Sequence, residues 1–206
     1  MIDNYKDFLN FLNSLTTKPK LLLHSCCAPC SSHVILLLSK YFDITIYFTN
    51  DNIYPIDEYN IRLEELQKFV KDINLDIKVI DDGYNPDDYY SCVKGFENLN
   101  ERSLRCKKCY HLRMEKTAKK ALELGFDYFT TTLSISPYKV EKWINEIGYE
   151  LEALYNVKYL YSNFKKDDGY KHSIKLSNEY HLYRQDYCGC KFSLEERNNH
   201  GFKKEN

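Results

Sequence analysis

The chain of 206 residues has no long apolar run, and it holds only seven glycines and five prolines. Its longest apolar stretch is Val34 to Leu38, far short of the ~20 apolar residues that a membrane-spanning helix needs. The N-terminus carries charges and no small-residue cleavage site, so we predict no secretory signal and a cytoplasmic location. There is no internal repeat and no linker rich in proline, glycine or serine, which predicts one domain over residues 1–206.

The chain also lacks a net charge that would point to a nucleic-acid partner, because it holds 29 Lys and Arg against 30 Asp and Glu. The charge is uneven, however: residues 51–98 hold 12 acidic and 5 basic side chains, and residues 102–120 hold 8 basic and 1 acidic. Such a basic surface can follow phosphates, although a solvated helix face gives the same pattern. The candidates for phosphate contacts are Arg102, Arg105, Lys107, Lys108 and Arg113. For Arg105 and Arg113 the alternative is that they pack locally or face a cluster bound by the cysteines.

Hydrophobic periodicity predicts strands that alternate with helices. The predicted strands are residues 20–25, 43–49, 76–81, 126–133 and 157–161, and the predicted helices are 5–15, 29–38, 63–73, 105–124 and 140–154. This alternation predicts an α/β fold with a parallel sheet covered by helices on both faces. Residues 82–101 are polar and rich in turn residues, so we predict that residues 82–125 form an insertion.

Seven of the eight cysteines fall in tight groups, and only Cys92 stands alone. In a reducing compartment, grouped thiols more often bind metal or carry out redox chemistry than form structural disulfides. The groups are Cys26, Cys27 and Cys30; Cys106 and Cys109; and Cys188 and Cys190.

The first predicted strand leads directly into the first cysteine group, and Asp51 follows the second strand. In an open α/β sheet, ligands bind outside the carboxyl ends of the strands, so we expect both segments to lie at the site. The loop after the first strand contains no glycine, so it cannot wrap closely around a phosphate as a P-loop does. This pattern predicts a metal centre on a scaffold of the nucleotide-binding type.

The first two cysteine groups favour an iron–sulfur cluster. We expect the side chains of the neighbouring Cys26 and Cys27 to diverge, which disfavours one zinc ion and suits a cluster with several irons. Cys106 and Cys109 form a chelating pair that zinc or a cluster can use. The spacing of that pair alone does not distinguish a zinc ion from an iron–sulfur cluster. The two pairs together supply the four thiolates that a 4Fe-4S cluster takes.

Cys188 and Cys190 are separated by one glycine, which lets the backbone bend toward a small, strained disulfide ring. Strained disulfides are relatively oxidising and labile, which suits catalysis. We therefore predict a redox-active dithiol, with a second pair of metal ligands as the alternative.

Several segments together resemble QueH-type epoxyqueuosine reductases. In chain order between residues 24 and 193 they are HSCCAPCSSHVI, NDNIYPIDEY, RCKKCYHLRM, TTLSISPYK and LYRQDYCGCKFS. The predicted helix within residues 1–18 lies outside the resemblance, and FKKDDGYKHS at residues 164–173 follows the family pattern only loosely. The combination of the three cysteine segments is specific, whereas no single segment would be.

The resemblance implies a HUP-like, PP-loop-related fold of three layers, with helical insertions and a cysteine-bearing C-terminal segment. It implies reduction of the epoxide of epoxyqueuosine at the tRNA wobble position to queuosine, the last step of queuosine tRNA modification. The implied partners are that tRNA and an external electron donor, with no membrane. A 4Fe-4S cluster would be bound by Cys26, Cys27, Cys106 and Cys109, and Cys188 and Cys190 would be redox-active.

A second metal, such as an additional iron ion, would act as a Lewis acid on the epoxide oxygen. Its candidate ligands are Cys30, Asp51, Cys188 and Cys190, of which the last three are also the candidate catalytic residues. For Cys30, an ordinary buried thiol is an equally good interpretation as a metal ligand. Its place near a helix N-terminus predicts a lowered pKa.

Two functions of other classes stay open on the sequence. One is a zinc-binding protein that interacts with tRNA without catalysis. The other is a thiol–disulfide oxidoreductase that acts on protein through Cys188 and Cys190.

Overall fold

A five-stranded sheet forms the centre of the computed structural model, which describes residues 2–200. The strands are β1 (Lys20–His24), β2 (Asp43–Phe48), β3 (Lys78–Asp81), β4 (Tyr128–Thr131) and β5 (Lys158–Tyr159). They follow the order β3-β2-β1-β4-β5, and each adjacent pair is parallel. The predicted parallel sheet is confirmed. The strand order reverses between β1 and β4, which is where such sheets bind their ligands.

Eight α-helices surround the sheet in the part of the chain that the structure describes. They are α1 (Tyr5–Ser14), α2 (Ala28–Leu38), α3 (Ile56–Asp72), α4 (Pro86–Val93), α5 (Leu104–Leu124), α6 (Glu141–Tyr155), α7 (Gly169–Glu179) and α8 (Lys191–His200). A short 3-10 helix covers Thr132–Ile135. Among the described helices, none combines the length and the apolar character that crossing a membrane requires.

The central strand β1 contributes side chains to two separate hydrophobic cores, because successive side chains of a strand point to opposite faces of the sheet. Leu21 and Leu23 pack with α1, α2 and α3 on one face. Leu22 packs with α5 and α6 on the other face. The fold is therefore the predicted three-layer α/β arrangement.

The predicted secondary structure differs from the structure in several places. The polar stretch 82–101 contains α4, which starts at Pro86 with Asp87 and Asp88 in its first turn. Proline and acidic residues favour a helix N-terminus, so this signal was present in the sequence. The fourth strand ends at Thr131 and continues as the 3-10 helix instead of running to residue 133. Helices α7, which begins at Gly169, and α8 are not among the predicted helices.

Helix α6 approaches β5 closely at Gly148. A Cβ atom at this position would lie 2.3 Å from the ring of Tyr159. That ring is buried, and its hydroxyl donates to Asn145 Oδ1 at 3.1 Å, which holds it in place. Only glycine therefore fits at this helix position.

We expect Gly148→Ala to lower the free energy of unfolding by about 1–3 kcal/mol, because it overpacks the contact with Tyr159. In a helix without such a contact, alanine instead stabilises by about 0.5–1 kcal/mol relative to glycine. Urea denaturation measures the change, and Ala153→Gly, at an exposed position of the same helix, reports helix propensity alone. A Gly148→Ala protein more stable than the wild type would contradict this packing.

Candidate functional site

Cys26, Cys27 and Cys30 converge where β1 passes into α2. Cys27 caps the N-terminus of α2, and Pro29 lies in its first turn, as the sequence predicts. The three sulfur atoms all lie within 4.8 Å of one another, and the sulfurs of Cys26 and Cys27 are 3.8 Å apart. Four tetrahedral bonds of about 2.3 Å place sulfur ligands about 3.8 Å apart. This group, which we call the thiol triad, can therefore hold a metal ion.

The expected divergence of the Cys26 and Cys27 side chains is wrong. The backbone at Cys27 is extended, with φ of −175°, and the helix begins at the next residue. This change from strand to helix brings the two sulfurs together. The argument that disfavoured a single zinc ion at this pair therefore does not hold.

The three thiols of the triad differ in how easily they ionise. Hydrogen bonds from the thiols of Cys27 and Cys30 hold the pKa of Cys26 well below its usual range, and the charge of Arg113 adds to this. The same bonds raise the pKa of Cys27 to about 12 and that of Cys30 well above its usual value. The predicted lowering of the Cys30 pKa is therefore wrong, because a neighbouring thiolate outweighs the helix N-terminus.

A second group of thiols lines a small cavity beside α5, which we call the thiol cavity. Cys106 and Cys109 lie in the first two turns of α5, and Cys188 and Cys190 come from the segment before α8. The remaining lining residues are Asn52, Tyr89, Arg105, Tyr110 and Arg113. The structure thus brings the predicted chelating pair next to the predicted redox pair.

A larger cavity, which we call the open cavity, has a volume of about 490 Å³. Cys26, Cys30 and Cys188 lie on its wall, so Cys188 borders both cavities. Other side chains on the wall include Tyr138, Lys139, Tyr170, Gln185 and Tyr187. A volume of about 300–1,000 Å³ is typical of small-ligand sites, so a ligand in this cavity would meet three thiols.

Three buried arginines lie beside the thiols, and each has one guanidinium nitrogen without a hydrogen-bond partner among the described residues. Arg62 pairs with Glu58 at 2.7 Å, and Arg105 pairs with Glu196 at 2.7 Å. Arg113 is 3% exposed and donates from Nε to the Cys109 carbonyl at 3.3 Å, while its Nη2 has no hydrogen-bond partner. A buried cation without a partner is costly. The site therefore suits an anionic group, which thiolates and a thiolate-bound cluster both are.

Two of the five residues predicted to contact phosphates cannot lie on such a surface. Arg105 and Arg113 are 2% and 3% exposed, and both line the thiol cavity. Lys107 pairs with Glu146 at 3.2 Å. Arg102 and Lys108 are exposed, so for them phosphate contact stays a prediction.

Arg62 fixes the backbone of the segment that carries the last two cysteines. Its Nη1 donates to the Cys188 carbonyl at 3.3 Å, and its guanidinium lies 5.4 Å from the centre of the Tyr187 ring. The Gly189 carbonyl accepts from the Tyr54 amide at 2.8 Å. The cysteine segment is thereby held against α3 and the turn before it.

Lys139 contacts the sulfur of Cys188, whereas Asp51 contacts no thiol among the described residues. Lys139 Nζ donates to Cys188 Sγ at 2.5 Å. Asp51 pairs with Lys116 at 2.5 Å and accepts from the Asn85 amide at 3.0 Å, and it lies on the wall of neither cavity. Its role at a second metal stays a prediction.

Sequence reasoning missed Lys139 and Gln185 as partners of the thiols. Gln185 Nε2 donates to Cys27 Sγ at 3.0 Å. Both residues lie inside segments that carry the family resemblance, TTLSISPYK and LYRQDYCGCKFS. That placement was the available signal, since neither spacing nor periodicity points to them.

The fold and the site define a class: an α/β protein with a thiol-lined ligand cavity and a cysteine group that can bind a metal. The chain belongs to the epoxyqueuosine reductase QueH family, whose model matches residues 21–196. This match confirms the resemblance that the cysteine segments indicate, and with it the enzyme class, an oxidoreductase.

Three relatives bear the name epoxyqueuosine reductase QueH. The relative from Streptococcus pyogenes serotype M1 is 43% identical over 182 residues, which cover 86% of this chain and 71% of the relative. The one from Staphylococcus epidermidis is 45% identical over 182 residues, covering 85% and 76%. The one from Thermotoga maritima is 37% identical over 179 residues, covering 85% and 91%.

We expect Gly189→Val to loosen the cysteine segment. Gly189 has φ of +124°, and a Cβ atom there would lie 3.0 Å from Arg62 Nη1. The backbone strain and the contact should together lower the free energy of unfolding by about 1–3 kcal/mol. Hydrogen exchange of residues 187–190 should rise in parallel.

Gly95→Val is the matched control, because Gly95 has φ of +84° and a Cβ atom there would meet nothing within 4 Å. The control shares the strain but lacks the contact with Arg62. If both variants lose the same free energy of unfolding, and hydrogen exchange at residues 187–190 is unchanged in Gly189→Val, Arg62 does not restrain the cysteine segment as proposed.

Proposed function

We propose that this chain reduces the epoxide of epoxyqueuosine in tRNA to queuosine, the last step of that modification. The observation that supports this most directly is the open cavity, whose volume of about 490 Å³ suits a modified base and whose wall carries Cys26, Cys30 and Cys188. The reaction takes up two electrons and two protons, breaks two C–O bonds and releases water. The site must therefore supply two electrons to the substrate and two protons to the leaving oxygen.

For the electrons we propose a 4Fe-4S cluster bound by Cys26, Cys27, Cys106 and Cys109. A bound cluster supplies electrons one at a time, at a potential that its ligands and their hydrogen bonds set. Arg113 supports a shared anionic site. Burial alone lowers the pKa of Arg113, yet Cys109, Cys188 and Cys26 together raise it above its usual range. One cation therefore acts on both thiol groups.

We also propose an additional iron ion, for which Cys30, Asp51, Cys188 and Cys190 are the candidate ligands. Cys30 and Cys188 have the stronger support, because both lie on the wall of the open cavity. Cys190 is buried in the lining of the thiol cavity, and Asp51 would have to exchange Lys116 for the metal. Cys188 and Cys190 are alternatively a redox-active dithiol.

Lys139 places a protonated amine at the wall of the open cavity. Burial alone lowers its pKa, but Cys188 and Tyr110 raise the pKa of Lys139 well above its usual range. The ammonium at Nζ therefore keeps its proton and stabilises negative charge on Cys188 or on an oxygen bound beside it. This is the electrostatic help that a departing oxygen needs.

The proposed partners are the tRNA and an electron donor, in the cytoplasm. Arg102, which precedes α5, and Lys108, which lies in its second turn, are exposed. Both are candidates for phosphate contacts. One domain over residues 1–206, with residues 82–125 as an insertion, stays our expectation for the organisation of the chain.

A non-catalytic zinc-binding protein that interacts with tRNA is the second candidate. The 3.8 Å separation of the Cys26 and Cys27 sulfurs favours it, because that is the spacing of two ligands on one zinc ion. A thiol–disulfide oxidoreductase acting on protein has less support, since Cys190 is only 6% exposed.

Metal and acid-labile sulfide analysis of anaerobically purified protein separates these functions, followed by nucleoside analysis of epoxyqueuosine-containing tRNA after incubation. Iron, sulfide and conversion to queuosine together support the reductase. Stoichiometric zinc without sulfide, and without conversion, would favour the binding protein.

Cys27→Ala should lower the iron content sharply, because it removes one thiolate from the proposed cluster. Cys92→Ala is the matched control: Cys92 is partly buried and donates to the Lys108 carbonyl at 3.4 Å, away from both cavities. Its iron content should equal that of the wild type. Full iron retention in Cys27→Ala would show that the ligand assignment is wrong.

Cys188→Ser separates an electron relay from a metal ligand. If Cys188 relays electrons, we expect the Cys188→Ser protein to keep near-normal iron content but to fail in turnover of epoxyqueuosine-tRNA. For a ligand, metal content should fall by about one ion per chain, because losing one thiolate of a chelating pair removes much of the affinity. Normal turnover in the Cys188→Ser, Cys190→Ser double variant would rule out both roles.

A further inference from the structure

Gln185 joins the open cavity to the thiol triad. It lies in the segment between α7 and α8 and on the wall of the open cavity. Its Nε2 donates to Cys27 Sγ at 3.0 Å. Among the described residues, it is the one side-chain nitrogen within hydrogen-bond distance of a triad sulfur.

The other end of the same amide has no partner. Gln185 Oε1 is buried and accepts no hydrogen bond from the described residues. A buried acceptor without a donor destabilises the fold, and an apolar side chain of similar shape avoids that cost. Stability therefore does not account for an amide here, and the contact that uses it is the N–H bond to Cys27.

We infer that Gln185 is a positioning residue that sets the reduction potential of the iron–sulfur centre through its N–H bond to Cys27. The inference rests on the cofactor in the proposed function. A metal-bound thiolate can only accept hydrogen bonds, so an amide beside it must donate. Donation withdraws negative charge from the sulfur, favours the more negative reduced state and raises the potential.

The test is to measure the midpoint potential of the centre in Gln185→Met by optical or electron paramagnetic resonance redox titration. Methionine keeps the length of the side chain and removes the donor. We expect unchanged iron and sulfide, an equal or higher free energy of unfolding, and a reduction equilibrium constant about tenfold smaller. For a one-electron couple this shifts the potential by about 59 mV to more negative values.

Gln67→Met is the matched control, because Gln67 is the other glutamine of the chain and is exposed on α3. Its potential should equal that of the wild type. Gln185→Glu removes the donor and adds negative charge, so its potential should fall below that of Gln185→Met.

The outcomes separate this inference from the proposed function. A wild-type protein without iron and sulfide would overturn both. A full cluster whose potential is the same in Gln185→Met and Gln67→Met would overturn only the role of Gln185. Lower iron or stability in Gln185→Met, with an unshifted potential for the remaining cluster, would assign Gln185 a structural role and also overturn the inference.

Discussion

Buried positive charge at the carboxyl edge of the sheet is the constraint on which the arrangement of the site depends. Arg62, Arg105 and Arg113 are each at most 3% exposed, and a charge so far from water needs a partner. Carboxylates of Glu58 and Glu196 satisfy two of them only in part. The thiols beside them supply the remaining negative charge when they ionise or bind a metal, so fold and site stabilise each other.

The sheet topology explains why the thiols meet at this place. β1 is the central strand, and it ends at the point where the strand order reverses. A glycine-rich loop in that position would offer backbone amides to a phosphate. Here the loop offers three sulfurs instead, and the start of α2 at Ala28 folds them toward one another. The same scaffold position therefore offers thiols that can hold a metal ion in place of amides that bind phosphate.

Much of the fold and part of the site could be predicted from the sequence. The parallel sheet followed from alternating periodicity, and the grouped cysteines followed from their spacing. Helix α4 was missed because its apolar stripe is short. The sequence left open whether Arg105 and Arg113 face phosphates or the cysteines, because a run of cations on a helix looks the same in both cases, and the structure shows them buried. The convergence of Cys26 and Cys27 depends on backbone angles at one residue, which spacing does not encode.

Cys188 is the sulfur at which the two cavities meet, and its position is determined from opposite ends. Arg62 holds its carbonyl, and Lys139 holds its sulfur. Gly189 lets the chain turn directly behind it at φ of +124°. Because both the backbone carbonyl and the sulfur of Cys188 are restrained, the sulfur cannot move far when a ligand enters the open cavity. For both proposed roles of Cys188, a ligand in the open cavity therefore meets a sulfur whose position is already fixed by the protein.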